Sequence, residues 1–363
     1  MKSFFREADV VLIALALALS LVGVFLIASA VHTWPNHGLE YIGVQLASIF
    51  LGLVSIWLIY VLGYENLADF WKWLYAIMIL LLLSTLFLGS GLAETGTRRW
   101  LILGPIRFQP SEIAKVIFIV TLAKHLELIK EDINYIKNAA LLFIHMAIPV
   151  ILVALQPDAG TALAFVFIFF VLVFISGIDW RYLASAAVAA IAAAPPVYFF
   201  FLQDYQRARI ISFLNPGQSP AGADWQVMQS QLAIGSGNIF GSGPFQGLQT
   251  QAGLIPAGHT DFIFAVLGEE FGFFGSLIVL ALFFGMAWRC IHLAKNKGKD
   301  KRLGRLICIG FAAYLTYHGM VNILMTLGLA PVTGIPLPLV SYGGTSILAC
   351  MIGVGFAATG GKT

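Results

Sequence analysis

The stretch Val10–Ala30, VVLIALALALSLVGVFLIASA, decides the fold, because it contains no charged residue over its whole length. A transmembrane helix needs about 20 apolar residues to cross about 30 Å of hydrocarbon, and this stretch is long enough. It is too long for the apolar region of a secretory signal peptide, and no convincing cleavage site follows it. We therefore expect it to remain in the protein as a membrane anchor.

The whole chain has the same character as this stretch. Of its 363 residues 59% are hydrophobic and 11% are charged, and the mean hydropathy is +0.88. Soluble domains carry about 25% charged residues, so the composition excludes an ordinary soluble enzyme. A net charge of +3 gives no indication of nucleic-acid binding, and the apolar excess excludes intrinsic disorder. The cysteines are too far apart for a disulfide framework or a metal motif and are expected to be packing residues: Cys290, Cys308 and Cys350.

Further apolar stretches predict an all-α polytopic integral membrane protein with about ten membrane-spanning helices. We assign the chain, residues 1–363, to a single transmembrane domain. The predicted spans are 10–30, 41–62, 73–89, 113–123, 139–155, 161–178, 182–202, 262–288, 306–327 and 346–358. Residues 203–260 are predicted to form a large extracytoplasmic loop between spans seven and eight, and loops longer than about 15 residues usually carry function.

The positions of Lys and Arg orient these spans, because cytoplasmic connections of membrane proteins carry an excess of both residues. With the N-terminus in the cytoplasm, the cytoplasmic segments contain Lys2, Arg6, Lys72, Lys124, Lys130, Lys137, Arg181, Arg289, Lys295, Lys297, Lys299, Lys301, Arg302, Arg305 and Lys362. The opposite side contains a smaller group, here called the outer arginines: Arg98, Arg99, Arg107, Arg207 and Arg209. The excess predicts that both termini are cytoplasmic, and it makes the outer arginines exceptions that need an explanation.

Several ionisable side chains lie inside or at the edge of the predicted spans: Glu112, Lys115, Asp158, Asp261, Glu269 and Glu270. Such groups cost several kcal/mol unless they are paired, and by default they mark functional cavities. Glu112 and Lys115 are three residues apart on a helix that Pro110 and Ser111 are suited to begin, so we expect them to form an ion pair. The pair neutralises itself, or helps to hold a substrate cavity open, or does both.

Asp261 follows His259 and Thr260 at the outer end of predicted span eight. Partial desolvation would raise the pKa of this carboxyl group and make it a better base than a free aspartate. The alternative interpretation is that Asp261 caps the N-terminus of the helix. Helix geometry turns Glu269 and Glu270 to different sides of the same helix, so hydrogen bonding to another helix is expected for at least one of them.

Asp158 follows Gln156 and Pro157 in a short outer turn, where a turn or capping role is expected. The outer arginines lie on the same face of the membrane as Asp261. Guanidinium groups suit phosphates, and a cluster on one side would attract an anion. Anchoring to lipid head groups is the alternative, which explains one or two arginines better than all of them. A carboxylate base beside cations at the outer edge of the bilayer predicts chemistry on a lipid that carries pyrophosphate.

These residues belong to motifs that resemble the SEDS family of bacterial polytopic membrane proteins, which includes RodA, FtsW and SpoVE. The motifs are Arg98-Arg99-Trp100, Phe108-Gln109-Pro110-Ser111-Glu112 with Lys115, Gln156-Pro157-Asp158 with Gly160-Thr161, Trp225 to Gly237 with Gln229-Ser230, His259-Thr260-Asp261-Phe262, and Asn322 to Ser346 with Ser341. The resemblance covers nearly the whole chain and is greatest to the family's cell-elongation member. The family usually has a glutamate where this chain has Ala257, which leaves any role of that glutamate in metal binding or loop positioning open here.

The resemblance implies a peptidoglycan glycosyltransferase of the bacterial cytoplasmic membrane that polymerises lipid II on the outer face for rod-shape elongation. It also implies a class B penicillin-binding protein and other elongation-complex membrane proteins as partners. Asp261 would be the general base, and the substrate and its pyrophosphate would be bound by Arg98, Arg99, Arg107, Arg207, Arg209, His259 and Thr260. Other candidate site residues are Asp158, Gln229, Ser230 and Ser341.

The chemistry admits a divalent cation, Mg²⁺ or Mn²⁺, beside the arginines, although no set of metal ligands is predicted from the sequence. Two other functions are compatible with the same features. The protein would be a flippase for lipid II if a polar path crossed the middle of the membrane. It would be a non-catalytic scaffold for the penicillin-binding protein if Asp261 were only a cap.

Overall fold

The computed structural model describes residues 8–34, 38–91, 99–103, 106–215, 222–295 and 301–362. Every predicted span coincides with a helix in these ranges, which confirms the all-α polytopic class. The helices are α1 (Val10–Ala30), α2 (Gly38–Leu62), α3 (Tyr64–Asp69), α4 (Trp71–Leu88), α5 (Pro110–Leu128), α6 (Ile136–Ala154), α7 (Ala159–Ile175), α8 (Trp180–Pro196), α9 (Asp204–Leu214), α10 (Ala223–Ser236), α11 (Leu248–Gln251), α12 (Ile263–Lys295), α13 (Arg302–Thr326) and α14 (Gly344–Lys362). Arg98 lies outside the described residues, as do several predicted cytoplasmic cations: Lys2, Arg6, Lys297 and Lys299.

In the described ranges, 7 helices are long and apolar enough to cross a membrane: α1, α2, α4, α6, α8, α12 and α13. Helices α7 and α14 are apolar but shorter. Helix α5, which carries Glu112 and Lys115, is the polar exception. It packs against α4, α7, α13 and α14, and most of its side chains are buried. The protein interior therefore shields the charges of α5 from lipid, as a membrane-spanning helix with ionisable residues requires.

Contacts join the first and last helices of the described chain, as an even number of crossings requires. The Asp9 amide donates a hydrogen bond of 3.2 Å to the Ala358 carbonyl. The Asp9 carboxylate caps α1 by accepting the Leu12 amide at 2.8 Å, and Arg289 Nη2 lies 2.6 Å from its other oxygen. Asp9 and Ala358 therefore lie at the end of α12 that carries Arg289, which is the end that the charge distribution predicts to be cytoplasmic.

Helix α12 differs from the continuous span that we expected from residue 262 onwards, because it is broken at Gly272. This residue has φ 64° and ψ −159°, a conformation that is accessible only to glycine. A Cβ at this position would lie 2.3 Å from the Gly241 backbone nitrogen. Residues 273–295 alone reach about 34 Å at 1.5 Å per residue, which is enough to cross the bilayer. Residues 263–271 are thus free to form a separate outer segment, which follows Asp261 directly.

The break in α12 leaves backbone groups of this helix without partners inside the helix. The outer loop supplies hydrogen-bonding partners for these groups. The Phe273 and Phe274 amides donate to the carbonyls of Asn238 and Ile239 at 2.9 and 3.2 Å. In the opposite direction, the Ser242 amide donates to the Glu269 carbonyl at 2.9 Å. The glycine-rich stretch after α10 is therefore a structural part of the break, since irregular backbone at membrane depth must be satisfied by protein.

A small β-hairpin, which the sequence did not predict, lies on the outer side before α5. Strands β1 (Leu101–Leu103) and β2 (Ile106–Phe108) pair antiparallel, with Ile102 opposite Arg107. A bridge between Ser90 and Trp100 joins the start of the hairpin to the end of α4. The hairpin therefore holds Arg99 beside the outer ends of the helices.

Candidate active site

Asp261 lies in a turn just before α12, and neighbouring segments hold the backbone of this turn. The Tyr342 amide donates to the His259 carbonyl at 2.9 Å, and Ser341 Oγ donates to the Thr260 carbonyl at 2.7 Å. Asn322 Nδ2, from α13, donates to the Asp261 carbonyl at 2.8 Å. Three consecutive carbonyls are thus fixed by protein donors. The position of the Asp261 side chain is set by this backbone.

The Asp261 carboxylate faces two of the outer arginines and Asp158. A Cβ built at Gly334 would lie 3.4 Å from Asp261 Oδ2 and 3.8 Å from Arg99 Nη1, so both groups border this glycine. Arg99 Nη1 also lies 3.6 Å from Asp158 Oδ2. In the part of the chain that the structure describes, no protein group donates a hydrogen bond to the Asp261 carboxylate. This carboxylate is therefore available to a substrate hydroxyl.

Burial raises the pKa of Asp261 above its usual value, while Arg99 and Arg209 lower it and Asp158 raises it further. The net direction is upward. Arg209 belongs to α9, which is held on the site by a hydrogen bond of 2.7 Å from Tyr205 Oη to the Pro157 carbonyl. An acidic group whose pKa is moved towards neutral pH is better matched to proton abstraction than an ordinary aspartate.

The other outer arginines take different positions. Arg207 donates to the carbonyls of Tyr198 and Phe199 at 3.0 and 2.8 Å, which satisfies the end of the π-helical turn that continues α8. Arg107 is exposed on β2 and lies close enough to Tyr342 to lower the pKa of that phenol, although burial raises it more. The described residues therefore bring Arg99 and Arg209 to Asp261, and they place Arg207 in a helix-capping position.

His259 and Thr260 lie in the same turn as Asp261. Burial lowers the pKa of His259 to about 4, so its imidazole is neutral at pH 7. Thr260 Oγ1 donates to the Ala257 carbonyl at 3.2 Å. Ala257 has φ 49° and an exposed side chain, and its carbonyl also accepts the Thr260 and Phe262 amides at 2.9 and 3.2 Å. The turn is therefore held by donors to the Ala257 carbonyl, and it needs no hydrogen bond from a side chain at position 257.

The predicted pair between Glu112 and Lys115 forms, and it has a third member. Lys115 Nζ lies 2.7 Å from Glu112 Oε1 and 3.0 Å from His318 Nε2, and the lysine side chain is fully buried. The ammonium also lies over the Tyr314 ring at 5.4 Å. Within the described residues, Glu112 Oε2 and His318 Nδ1 are buried without a hydrogen-bond partner. No sequence pattern distinguished His318, which is a single histidine in an apolar span.

Glu269 and Glu270 both bond to other segments, where we expected this for at least one of them. Glu269 accepts the Gln249 and Thr250 amides at 2.7 and 2.9 Å and Thr250 Oγ1 at 2.6 Å. Glu270 Oε1 accepts Ser29 Oγ at 2.5 Å and Gln251 Nε2 at 3.3 Å. These acids connect α12 to α11 and α1 and do not reach the Asp261 site.

The other candidates have the following positions. Asp158 caps α7 by accepting the Thr161 amide at 3.2 Å, as expected, and it also contacts Arg99. Ser230 Oγ donates to the Thr326 carbonyl at 2.8 Å, at the end of α13. Gln229 Oε1 is buried without a hydrogen-bond partner among the described residues.

Ser341 supports the Asp261 turn, as described above. Asn322 and Gly334, which also shape the site, lie in the quoted motifs, but the sequence alone did not distinguish them.

Comparison with known proteins gives a consistent result. The family described as cell cycle proteins of the FtsW, RodA and SpoVE type matches residues 9–359. Peptidoglycan glycosyltransferase MrdB of Escherichia coli K12 is 37% identical over 335 residues, which cover 91% of this chain and 88% of that protein. Stage V sporulation protein E of Bacillus subtilis 168 is 31% identical over 356 residues, with coverage of 96% and 95%.

Solved structures agree with this sequence similarity. A chain of a peptidoglycan synthase complex that coordinates polymerization and crosslinking aligns with a TM-score of 0.81 and 32% identity over 98% of both chains. The crystal structure of the rod shape determining protein RodA of Thermus thermophilus aligns with a TM-score of 0.72 and 31% identity over 98% of this chain and 97% of that one. This chain therefore belongs to the FtsW, RodA and SpoVE family, known as the SEDS family.

Proposed function

We propose that this protein is a peptidoglycan glycosyltransferase of the bacterial inner membrane, which polymerises lipid II into glycan strands on the outer face for rod-shape elongation. The single observation that carries the proposal is the Asp261 site. A carboxylate with a raised pKa and no protein donor in the described residues lies beside Arg99 and Arg209 at the outer ends of the helices. The similarity to proteins named peptidoglycan glycosyltransferase supports the same reaction.

In the proposed reaction, Asp261 accepts the proton of the acceptor sugar's 4-hydroxyl group. The hydroxyl oxygen forms a bond with the anomeric carbon of the lipid-linked donor, and the bond from that carbon to the pyrophosphate oxygen breaks. The electron pair leaves with undecaprenyl pyrophosphate, and the configuration at the anomeric carbon inverts. Base assistance of this kind contributes about 10²–10⁴-fold to the rate.

The arginines act on the leaving group in this proposal. Arg99 and Arg209 place guanidinium groups where negative charge grows on the pyrophosphate, and fixed cations in a partly desolvated site stabilise such charge well. Arg107 lies near Tyr342 on the same face and would contact the substrate further from the reacting bond. We keep Arg98, His259 and Thr260 as predicted substrate contacts, with His259 contributing a neutral ring.

A divalent cation, Mg²⁺ or Mn²⁺, remains part of the proposal. The described residues contain no group of three or more His, Cys, Asp or Glu side chains that could hold a metal ion. Mg²⁺ often binds through one or two carboxylates, substrate phosphates and water, and Asp158 or Asp261 could supply such a carboxylate. The cation would add positive charge at the pyrophosphate, while proton transfer remains with Asp261.

The partners in this proposal are lipid II, a class B penicillin-binding protein and membrane proteins of the elongation complex. The structural similarity to a chain of a peptidoglycan synthase complex supports an assembly of this kind. The alternative of a flippase has less support, because Lys115, a charge within the predicted span 113–123, is fully buried and is bonded to Glu112 and His318.

The proposal is tested by adding lipid II to the purified protein in detergent, with and without its penicillin-binding partner, and separating the polymers on a gel. We expect glycan strands from the wild type and a fall of about 10²–10⁴-fold for Asp261→Asn. The matched control is Asp204→Asn, which removes an exposed carboxylate from the outer helix α9. This control should retain wild-type activity.

Two outcomes contradict the proposal. If the wild type makes no polymer from accessible lipid II in the presence of its partner, the protein is a flippase or a scaffold. If Asp261→Asn polymerises at the wild-type rate, Asp261 is not the base.

A further inference from the structure

Four aromatic side chains form a cluster at the outer end of α1, here called the outer aromatic cluster: Trp34, Tyr41, His259 and Tyr342. The ring centroids of Trp34 and His259 lie 5.1 Å apart, and those of Tyr41 and His259 lie 5.3 Å apart. Tyr41 and Tyr342 are 4.8 Å apart. Most of these rings meet edge to face, which is a favoured geometry for aromatic contacts. The rings come from α2, from the segment after α1 and from the two turns that enclose Asp261.

The cluster is tied to the backbone of the active site. His259 is two residues from Asp261, so their Cα atoms are at most about 7 Å apart. The hydrogen bond from the Tyr342 amide to the His259 carbonyl joins two of the rings through this same backbone. A ligand that stacks on the cluster would therefore lie beside the turn that carries Asp261.

The cluster differs from the aromatic belt that membrane proteins place at the lipid interface. Trp34 is 37% exposed. Tryptophans on the lipid-facing sides of the helices are more exposed: Trp57 at 55%, Trp73 at 72%, Trp180 at 70% and Trp288 at 66%. The Trp34 ring contacts the rings of Tyr41 and His259, which belong to other segments of the chain. The Trp288 ring, in contrast, has a cation–π contact with Lys295 of its own helix. The Trp34 ring is therefore held in position by aromatic side chains from other segments.

The chemistry of the cluster favours an uncharged ligand. His259 is neutral at pH 7, because burial lowers its pKa to about 4. Burial also raises the pKa of Tyr342, so its phenol stays protonated. The cluster thus offers apolar ring faces, phenol hydroxyls and an indole N–H. A pyranose ring matches this surface, because it has C–H bonds on its faces and hydroxyl or amide groups around its edge.

We propose that the outer aromatic cluster is a saccharide-binding subsite, in which Trp34 stacks on the acceptor sugar whose hydroxyl loses its proton to Asp261. The inference rests on the proposed function. It assigns the acceptor to the side of His259, while the donor's pyrophosphate takes the side of Arg99 and Arg209. Each half of the reaction then has a chemically matched surface: aromatic rings for the sugar and cations for the phosphates.

The test compares Trp34→Ala and Trp34→Phe in the lipid II polymerisation assay, with Trp57→Ala as the matched control on a lipid-facing side. Loss of one stacked ring should raise KM about threefold to tenfold, with a smaller change in kcat. Trp34→Phe should restore most of the loss, because it keeps an aromatic face. Trp57→Ala should leave both constants unchanged.

A second measurement addresses binding directly. Saturation-transfer NMR with a water-soluble N-acetylated disaccharide that lacks lipid and pyrophosphate should show contact with the wild type and with Asp261→Asn. The contact should be lost in Trp34→Ala.

An unchanged KM in Trp34→Ala, with disaccharide contact retained, overturns the proposed subsite. Equal damage in both Trp34 variants together with a lower thermal stability also overturns it, because Trp34 would then be structural. Failure of the function itself would appear differently, as a wild-type protein that makes no polymer.

Discussion

Asp261 lies in the turn just before α12 and Glu269 lies in the short outer segment of that helix, yet the protein treats these two acids in opposite ways. The Glu269 carboxylate accepts three protein hydrogen bonds from α11. For Asp261, Asn322 donates to the backbone carbonyl, and no described protein group donates to the carboxylate. The Glu269 carboxylate is therefore engaged in structural hydrogen bonds, whereas the Asp261 carboxylate is available to a ligand.

This difference shows that burial alone does not identify a reactive acid. What matters is whether the lone pairs of the carboxylate are used by fixed donors, since satisfied carboxylates are stabilising and unsatisfied ones are costly. At Asp261 the carboxylate lacks fixed donors, which is unfavourable in free energy. The nearby charges of Arg99 and Arg209 offset this free-energy cost. The following predictions test the distinction, beginning with the largest expected effect.

Asp261→Asn should remove activity and leave the fold intact. We expect polymerisation to fall about 10²–10⁴-fold, because the amide cannot accept the proton. The thermal unfolding midpoint in detergent should be equal to or higher than that of the wild type, because a desolvated charge is removed. A large drop in the midpoint would show that Asp261 has a structural role like that of Glu269.

Glu269→Ala should have the opposite effect. It leaves the Gln249 and Thr250 amides without their acceptor, so we expect a loss of stability on the order of 2 kcal/mol. Thermal unfolding measures this loss, and residual activity of the folded fraction should remain near that of the wild type. Strong inactivation of protein that is still fully folded would contradict the separation between the two acids.

Arg209→Gln should reduce kcat/KM on the order of tenfold, because one charged contact to the pyrophosphate is lost. Since Arg209 lowers the pKa of Asp261, the acidic limb of the pH–activity profile should also move to higher pH. The control is Arg207→Gln, which removes an arginine of the same helix that bonds to the end of α8. If both variants behaved alike, the two arginines would not differ in role.

Asp158→Asn should have the smallest effect. Asparagine retains the cap of α7, because its side-chain oxygen can still accept the Thr161 amide. Asp158 raises the pKa of Asp261, so its neutralisation should move the acidic limb of the profile to lower pH. Activity measured as a function of pH checks the sign, and a shift to higher pH would contradict the arrangement of charges.

Much of this molecule could be predicted from local sequence. The apolar lengths predicted the membrane-spanning helices, and the i, i+3 spacing predicted the ion pair between Glu112 and Lys115, which forms at 2.7 Å. Both features depend on residues that are close in the chain. The break at Gly272 was missed, because a glycine in an apolar helix does not by itself indicate φ 64°. That conformation depends on the outer loop, which supplies the replacement hydrogen bonds.

The sequence by itself determined that this is a polytopic α-helical membrane protein with Asp261 and the outer arginines on one side. Hydrocarbon demands long apolar helices, and charge at its edge is scarce enough to be recognised. Only the tertiary structure decided that Arg99 and Arg209 adjoin Asp261 while Arg207 caps α8. It also brought His318 to Lys115 and Trp34 to His259. These pairs are distant in the chain, and the packing of helices and the folding of the outer loop determine which side chains meet.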